Sequence, residues 1–68
     1  MNRLKELRKQ KGVTQQKVSM DLNISRESIS HYETGRDDIP NDLLIVFARY
    51  YRTTIDNILC FDPEDPNS

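Results

Sequence analysis

The chain is poor in the residues that carry covalent and metal chemistry. It holds a single cysteine, Cys60, and a single histidine, His31. One cysteine excludes an internal disulfide, as befits a reducing compartment. One cysteine and one histidine fall short of the four nitrogen or sulfur ligands of a structural zinc site. A Cys–His nucleophilic pair survives the count, but nothing in the spacing brings the two together. No apolar run approaches the roughly 18 residues of a membrane span. The opening Met1-Asn2-Arg3-Leu4-Lys5-Glu6 has no apolar region of the secretory kind. A soluble, cytoplasmic protein is therefore expected, with no metal, no cofactor and no membrane partner. Glycine and proline are scarce, at two and three. There is no internal repeat and no low-complexity segment.

What is present suffices for one small core. A chain of 68 residues buries only about 60% of its unfolded surface, so its core must be locally built. Leu, Ile, Val and Phe make up a quarter of the chain, above the one-fifth or so below which disorder is favoured. A closed catalytic pocket or a sensor domain is hard to build at this size, so neither an enzyme nor a small-molecule ligand is expected. The charges nearly cancel, but they are unevenly placed. Residues 1–36 carry eight basic side chains (Arg3, Lys5, Arg8, Lys9, Lys11, Lys17, Arg26, Arg36) against four acids (Glu6, Asp21, Glu27, Glu33). Residues 37–68 carry only Arg49 and Arg52 against seven acids. Two explanations fit this split: a polyanion-facing half with an acidic far half, or solubilising surface charge.

The pattern predicts an all-α fold of five short helices. The first spans Asn2 to Lys11, with Leu4 and Leu7 as its stripe and Gly12 as a left-handed stop. Thr14 caps a second helix that ends near Leu22, with Val18 and Leu22 on one face. After Asn23-Ile24-Ser25, Ser25 caps a third helix from Arg26 to Thr34, stopped by Gly35. A fourth runs from Pro40 to Tyr51 on an inner stripe of Leu44, Phe47, Ala48 and Tyr51. Thr53 and Asp56 have the spacing of a capping box for a last helix through Ile55, Ile58 and Leu59. Residues 1–61 form the expected domain, and 62–68, with Pro63 and Pro66, a polar C-terminal tail. No segment shows the period-two alternation of a half-buried strand.

Helices two and three, joined by three residues, make a helix-turn-helix. Its central turn position calls for a left-handed backbone, which asparagine enters at modest cost, and Asn23 stands there. Ser19 is small where the helices must approach, and Ile24 and Ile29 anchor the turn. At about 100° per residue, one face of helix three carries Ile29, Tyr32 and also Glu33. The opposite face carries Glu27, Ser30, His31 and Thr34, all capable of hydrogen bonding, with Arg26 at its edge between Glu33 and Ser30.

These residues resemble a known family, the phage-repressor and Cro-like (Xre-type) helix-turn-helix proteins. The resemblance rests on Leu4-Lys5-Glu6-Leu7-Arg8, Thr14-Gln15, Ile24-Ser25-Arg26, and Ile29-Ser30-His31-Tyr32-Glu33-Thr34-Gly35-Arg36. Leu44, Phe47-Ala48 and Ile55 to Leu59 continue it, so it covers residues 2–60. It implies a lambda-repressor-like domain whose third helix enters the DNA major groove. Arg26, Glu27, Ser30 and His31 would then face base edges. Arginine can read guanine O6 and N7, and glutamate can accept from cytosine N4. Gln15, Lys17, Thr34 and Arg36, and with them Lys11, would contact the DNA backbone, helped by the amides that open helix two. Arg8 and Glu33 match a structural ion pair of the family. His31 fits either a groove contact or a pH switch. The chain departs from the family at Val18-Ser19, where Leu-Ala is usual, and at Asn23, where glycine is. Asp37 and Asp38 follow Arg36 in a loop that is often basic. Two carboxylates repel phosphate, so the loop's grip is expected to end at Arg36, with weaker, salt-sensitive non-specific binding. The acids are expected instead at the N-terminus of helix four.

The resemblance further implies a homodimer on half-sites about 10 base pairs apart. Helix four has more apolar residues (Leu43, Ile45, Val46, Tyr50) than one stripe consumes. Phe61 and Ile58 are the expected dimer-interface residues. Cys60 fits either an interchain bridge or a small core residue. The leading expectation is a transcriptional regulator, a repressor, on a double-stranded operator. The alternative is a protein-interaction module on the same fold, such as an antitoxin-like partner.

Overall fold

The computed structural model describes residues 2–59, all of whose regular elements are α-helical. Cys60, Phe61 and the expected tail 62–68 lie outside the described residues. The elements are α1 (Leu4–Lys11), α2 (Gln15–Leu22), α3 (Arg26–Thr34), α4 (Asn41–Tyr50) and α5 (Ile55–Ile58).

Their ends follow from side chains that satisfy the unpaired backbone groups of helix termini. Thr14 Oγ1 accepts from the Lys17 N–H and Ser25 Oγ from the Ser28 N–H, each at 3.1 Å. Gly12 and Gly35 close α1 and α3 at φ 77° and 79°, a backbone region that glycine enters freely. Three ends differ from the pattern. Asn2 stands outside α1: its Oδ1 accepts from the Leu4 N–H at 3.1 Å, and its Nδ2 donates to the Tyr32 carbonyl at 2.7 Å. Pro40 occupies the cap position of α4 rather than its first turn. The cap of α5 is Thr54, whose Oγ1 accepts from the Asn57 N–H at 3.1 Å. Thr53 does not serve as that cap. Its N–H closes the end of α4 on the Ala48 carbonyl at 2.9 Å, and its hydroxyl accepts from Asn57 Nδ2 at 2.8 Å.

Every helix contributes to one core: Leu4 and Leu7 from α1, Val18 from α2, Ile29 from α3, Leu44 and Phe47 from α4, and Ile58 from α5. Ile58 is 0% exposed. It was expected at a dimer interface, and the structure corrects this: α5 folds back on the chain's start. The Arg3 N–H donates to the Ile58 carbonyl at 2.8 Å, and Arg3 Nη1 donates to Asn57 Oδ1 at 2.5 Å. Among the described residues, the large hydrophobics that remain exposed are Met20, Ile45, Val46 and Leu59. Leu43 and Tyr50, also expected as surplus surface, pack partly buried against the core.

The turn between α2 and α3 is built as its sequence demands. Asn23 takes φ 55° and ψ 43°, the left-handed region that asparagine tolerates. Ser19 Oγ donates to the Ile24 carbonyl at 2.5 Å, and the Ile24 N–H donates to the Ser19 carbonyl at 3.2 Å. A larger residue at 19 would lose the first bond and push the helices apart. The crossing angle of α3 is thus set by a hydroxyl and a left-handed asparagine.

Candidate nucleic-acid interface

The core places α3 with one face in and one face out. Ile29 is 1% exposed, and Tyr32 meets the Phe47 ring edge-on at 6.3 Å between centroids. On the other side Arg26, Glu27 and Thr34 are exposed, while Ser30 and His31 are half-exposed at the surface. Arg26 also shares a shallow depression with Gln15, Gln16, Thr14 and Arg8 at the start of α2. The structure therefore collects Arg26 and Gln15 at one spot, and His31 with Arg36 at another.

Behind this surface lies an ion pair. Arg8 Nε donates to Glu33 Oε2 at 2.8 Å and Arg8 Nη2 to Oε1 at 3.3 Å. Arg8 Nη1 donates to the Val13 carbonyl at 3.1 Å. The Glu33 side chain is 3% exposed and that of Arg8 14%. Two parallel N–H bonds satisfy the planar fork of arginine, so α1 and α3 are locked together. Gln15 joins the pair, its Nε2 donating to Glu33 Oε1 at 3.2 Å. Its amide is thus engaged inward rather than held out toward a partner, a connection that the spacing 15…33 does not reveal. Tyr51 stacks on Phe47 at 6.3 Å, with rings 12° apart. Burial, reinforced by the Glu33 charge, pushes its phenol well above the ordinary tyrosine range.

The other expected contacts are partly engaged within the chain. Lys17 Nζ lies 3.0 Å from Asp21 Oδ1, and Lys11 Nζ sits 4.9 Å above the Tyr50 ring. Tyr50 Oη donates to Asp21 Oδ2 at 2.6 Å. That bond, then Lys17, lowers the Asp21 carboxyl. Burial, then the bond to Asp21, raises the Tyr50 phenol to about 12. Asp37 does not cap α4, which has no side-chain cap. Its Oδ2 lies 3.3 Å from His31 Nδ1, while Arg36 Nη1 lies 3.5 Å from His31 Nε2. The contact with the histidine ring holds the Asp37 carboxylate on α3, and Pro40 occupies the cap position of α4. Among the described residues, no cluster of His, Cys, Asp or Glu is placed to hold a metal, and no helix is long and apolar enough to cross a membrane.

Comparison with known proteins decides the kinship of this arrangement. A family model described as Helix-turn-helix matches residues 4–58, from the first residue of α1 to the last of α5. The chain belongs to the helix-turn-helix family. Two relatives come from Bacillus subtilis (strain 168). The HTH-type transcriptional regulator ImmR is 35% identical over 57 residues, which is 84% of this chain and 45% of that protein. YobD, named an uncharacterized HTH-type transcriptional regulator, is 34% identical over 65 residues, 94% of this chain and 58% of that protein. This helix-turn-helix chain thus spans about half the length of the curated relatives it matches.

Proposed function

We propose that this protein is a sequence-specific DNA-binding transcriptional regulator that reads the major groove with α3. The observation that carries this is the outer face of α3: Arg26, Glu27, Ser30, His31 and Thr34 stand at the surface as a hydrogen-bonding strip, stiffened behind by Ile29 and the Arg8–Glu33 pair. A rigid rod of donors and acceptors suits base edges in a groove about 12 Å wide. Arg26, Glu27, Ser30 and His31 are the base readers. Lys17, Thr34 and Arg36 hold the phosphates. Gln15 serves the backbone as well, once its amide turns from Glu33 or through the oriented N–H groups beside it. The two relatives named as transcriptional regulators support this role.

Action as a homodimer and as a repressor belongs to the same proposal. One recognition helix spans few base pairs, and doubling it doubles the sequence read. With Ile58 inside the core, the exposed Ile45, Val46 and Leu59, together with Phe61, are the apolar surface for a second copy. A cytoplasmic location and a domain of 1–61 followed by a tail complete the picture. Selection from a random DNA library, followed by footprinting, tests the proposal. A single enriched motif is expected, and Ser30→Ala with His31→Ala should abolish its enrichment. If those substitutions leave DNA binding untouched while acidic-half or Phe61 variants abolish a protein partner, the interaction-module alternative replaces it.

A further inference from the structure

The loop leaving α3 turns back on the helix at His31. The Asp37 N–H donates to the His31 carbonyl at 3.3 Å, and Thr34 Oγ1 donates to the same carbonyl at 3.2 Å. On the ring, Nδ1 lies 3.3 Å from Asp37 Oδ2 and Nε2 lies 3.5 Å from Arg36 Nη1. About a quarter of the His31 side chain, 26%, is open to solvent.

These neighbours select one form of the ring. A guanidinium has only N–H donors, so the nitrogen facing Arg36 must offer its lone pair. An ionised carboxylate only accepts, so the proton belongs on the nitrogen facing Asp37. The reverse tautomer would set a lone pair against the carboxylate and N–H against N–H at Arg36. Of the two neutral tautomers, the one these neighbours favour has Nδ1 protonated and Nε2 bare.

We propose that Asp37 is a positioning residue that fixes His31 as a hydrogen-bond acceptor toward DNA, so that His31 selects a base with an exocyclic amine, adenine N6 or cytosine N4. The proposal rests on the base-reading role of α3 given above, and it adds the class of base and the residue that sets it. In the free protein an N–H of Arg36 occupies the acceptor that the base amine takes in the complex, and Arg36 is then released to a phosphate. Guanine O6 and N7, and thymine O4, are acceptors that would face a bare nitrogen. Asp37 also gains a role that its charge alone opposes: a carboxylate near phosphates weakens binding to all sequences alike, whereas holding a tautomer discriminates among them.

The test starts from the motif selected by the full chain. Affinities for all single-base variants are measured with the unaltered protein and with Asp37→Ala, His31→Ala and Asp38→Ala. At one position the unaltered protein should favour adenine or cytosine over guanine and thymine by about tenfold, and the four duplexes tell which amine is read. Asp37→Ala and His31→Ala should bring that position to near parity and leave the others alone. Asp38→Ala removes the same charge one residue further along; it should keep the preference and tighten all sequences equally. If Asp37→Ala behaves like Asp38→Ala, the inference is overturned while DNA reading by α3 stands. A chain that selects no sequence overturns both. Nitrogen-15 spectra of the His31 ring in the free protein supply a readout independent of DNA. A protonated Nδ1 and a bare Nε2 are expected, and a protonated Nε2 would overturn the proposal.

Discussion

Two arginines at the surface of α3 and its following loop show how one residue type serves two ends. Arg26 stands at the first position of the helix, where a guanidinium can meet a base edge in two places. Arg36 stands beyond Gly35, where the chain leaves the helix. Arg26→Ala should relax preference at one or two base pairs at a cost of about 1–3 kcal/mol, whereas Arg36→Ala should weaken every sequence alike and flatten the salt dependence. Binding titrations at several salt concentrations on matched and mismatched duplexes check this, and an identical uniform loss for both would count against the assignment. Arg52 is a different lesson. It adopts φ 53° after α4, a strained conformation for arginine. Nothing in its side chain announces that, because the turn is imposed by the Thr53 N–H reaching back to the Ala48 carbonyl.

Pairs of helices are tied by a few polar contacts, and each tie can be cut separately. Glu33→Ala strands the Arg8 guanidinium in a site nearly closed to water; a loss of about 3–5 kcal/mol is expected, since removing one partner of a buried pair leaves its charge uncompensated. Thermal or urea unfolding reads this directly, and Glu33→Gln should recover part of the loss by keeping an acceptor for Arg8. The α2–α4 tie, Tyr50 to Asp21, responds to pH at both ends. Asp21 is held below its ordinary value, so its contribution is present above about pH 4 and fades as pH falls through its folded value. Tyr50 is raised to about 12, so its contribution is full below about pH 10 and is lost as pH rises further. Tyr50→Phe should therefore be less stable than the unaltered protein near neutrality. The difference should narrow in both acid and strong alkali, as urea titrations at about pH 3, 7 and 11 will show. The start and stop signals of helices were legible wherever a single residue acts locally, as with Thr14, Ser25, Gly12 and Gly35. They were not legible where two adjacent threonines compete. Thr53 is used by the end of α4, leaving Thr54 to cap α5, a division that depends on where α4 finishes.

Across the whole fold, some apolar side chains enter the core and others stay exposed, and the proposed dimer would use the second group. Ile58 and Leu59 are neighbours with opposite fates, the first 0% exposed and the second 45%. Ile58→Ala should cost about 2–5 kcal/mol of stability and leave association otherwise unchanged. Val46→Asp should spare the fold and shift a dimer to monomer; unfolding curves and sedimentation velocity separate the two effects. All seven acids of residues 37–68 lie beyond α3 in sequence, so the polar face of α3 is presented from the basic half.

Local chemistry was enough to dictate the five helices, the left-handed turn at Asn23, the inward tilt of Glu33 and the outward polar strip of α3. Each depends on helical periodicity or on a side chain's preference within a few residues of itself. Long-range packing alone decided that Ile58 is core, that Gln15 leans on Glu33, that Tyr50 reaches Asp21, and that Asp37 turns to His31 instead of capping α4. Those outcomes depend on which groups meet across 6 to 55 residues of chain once the helices pack, and no periodic pattern encodes such a meeting.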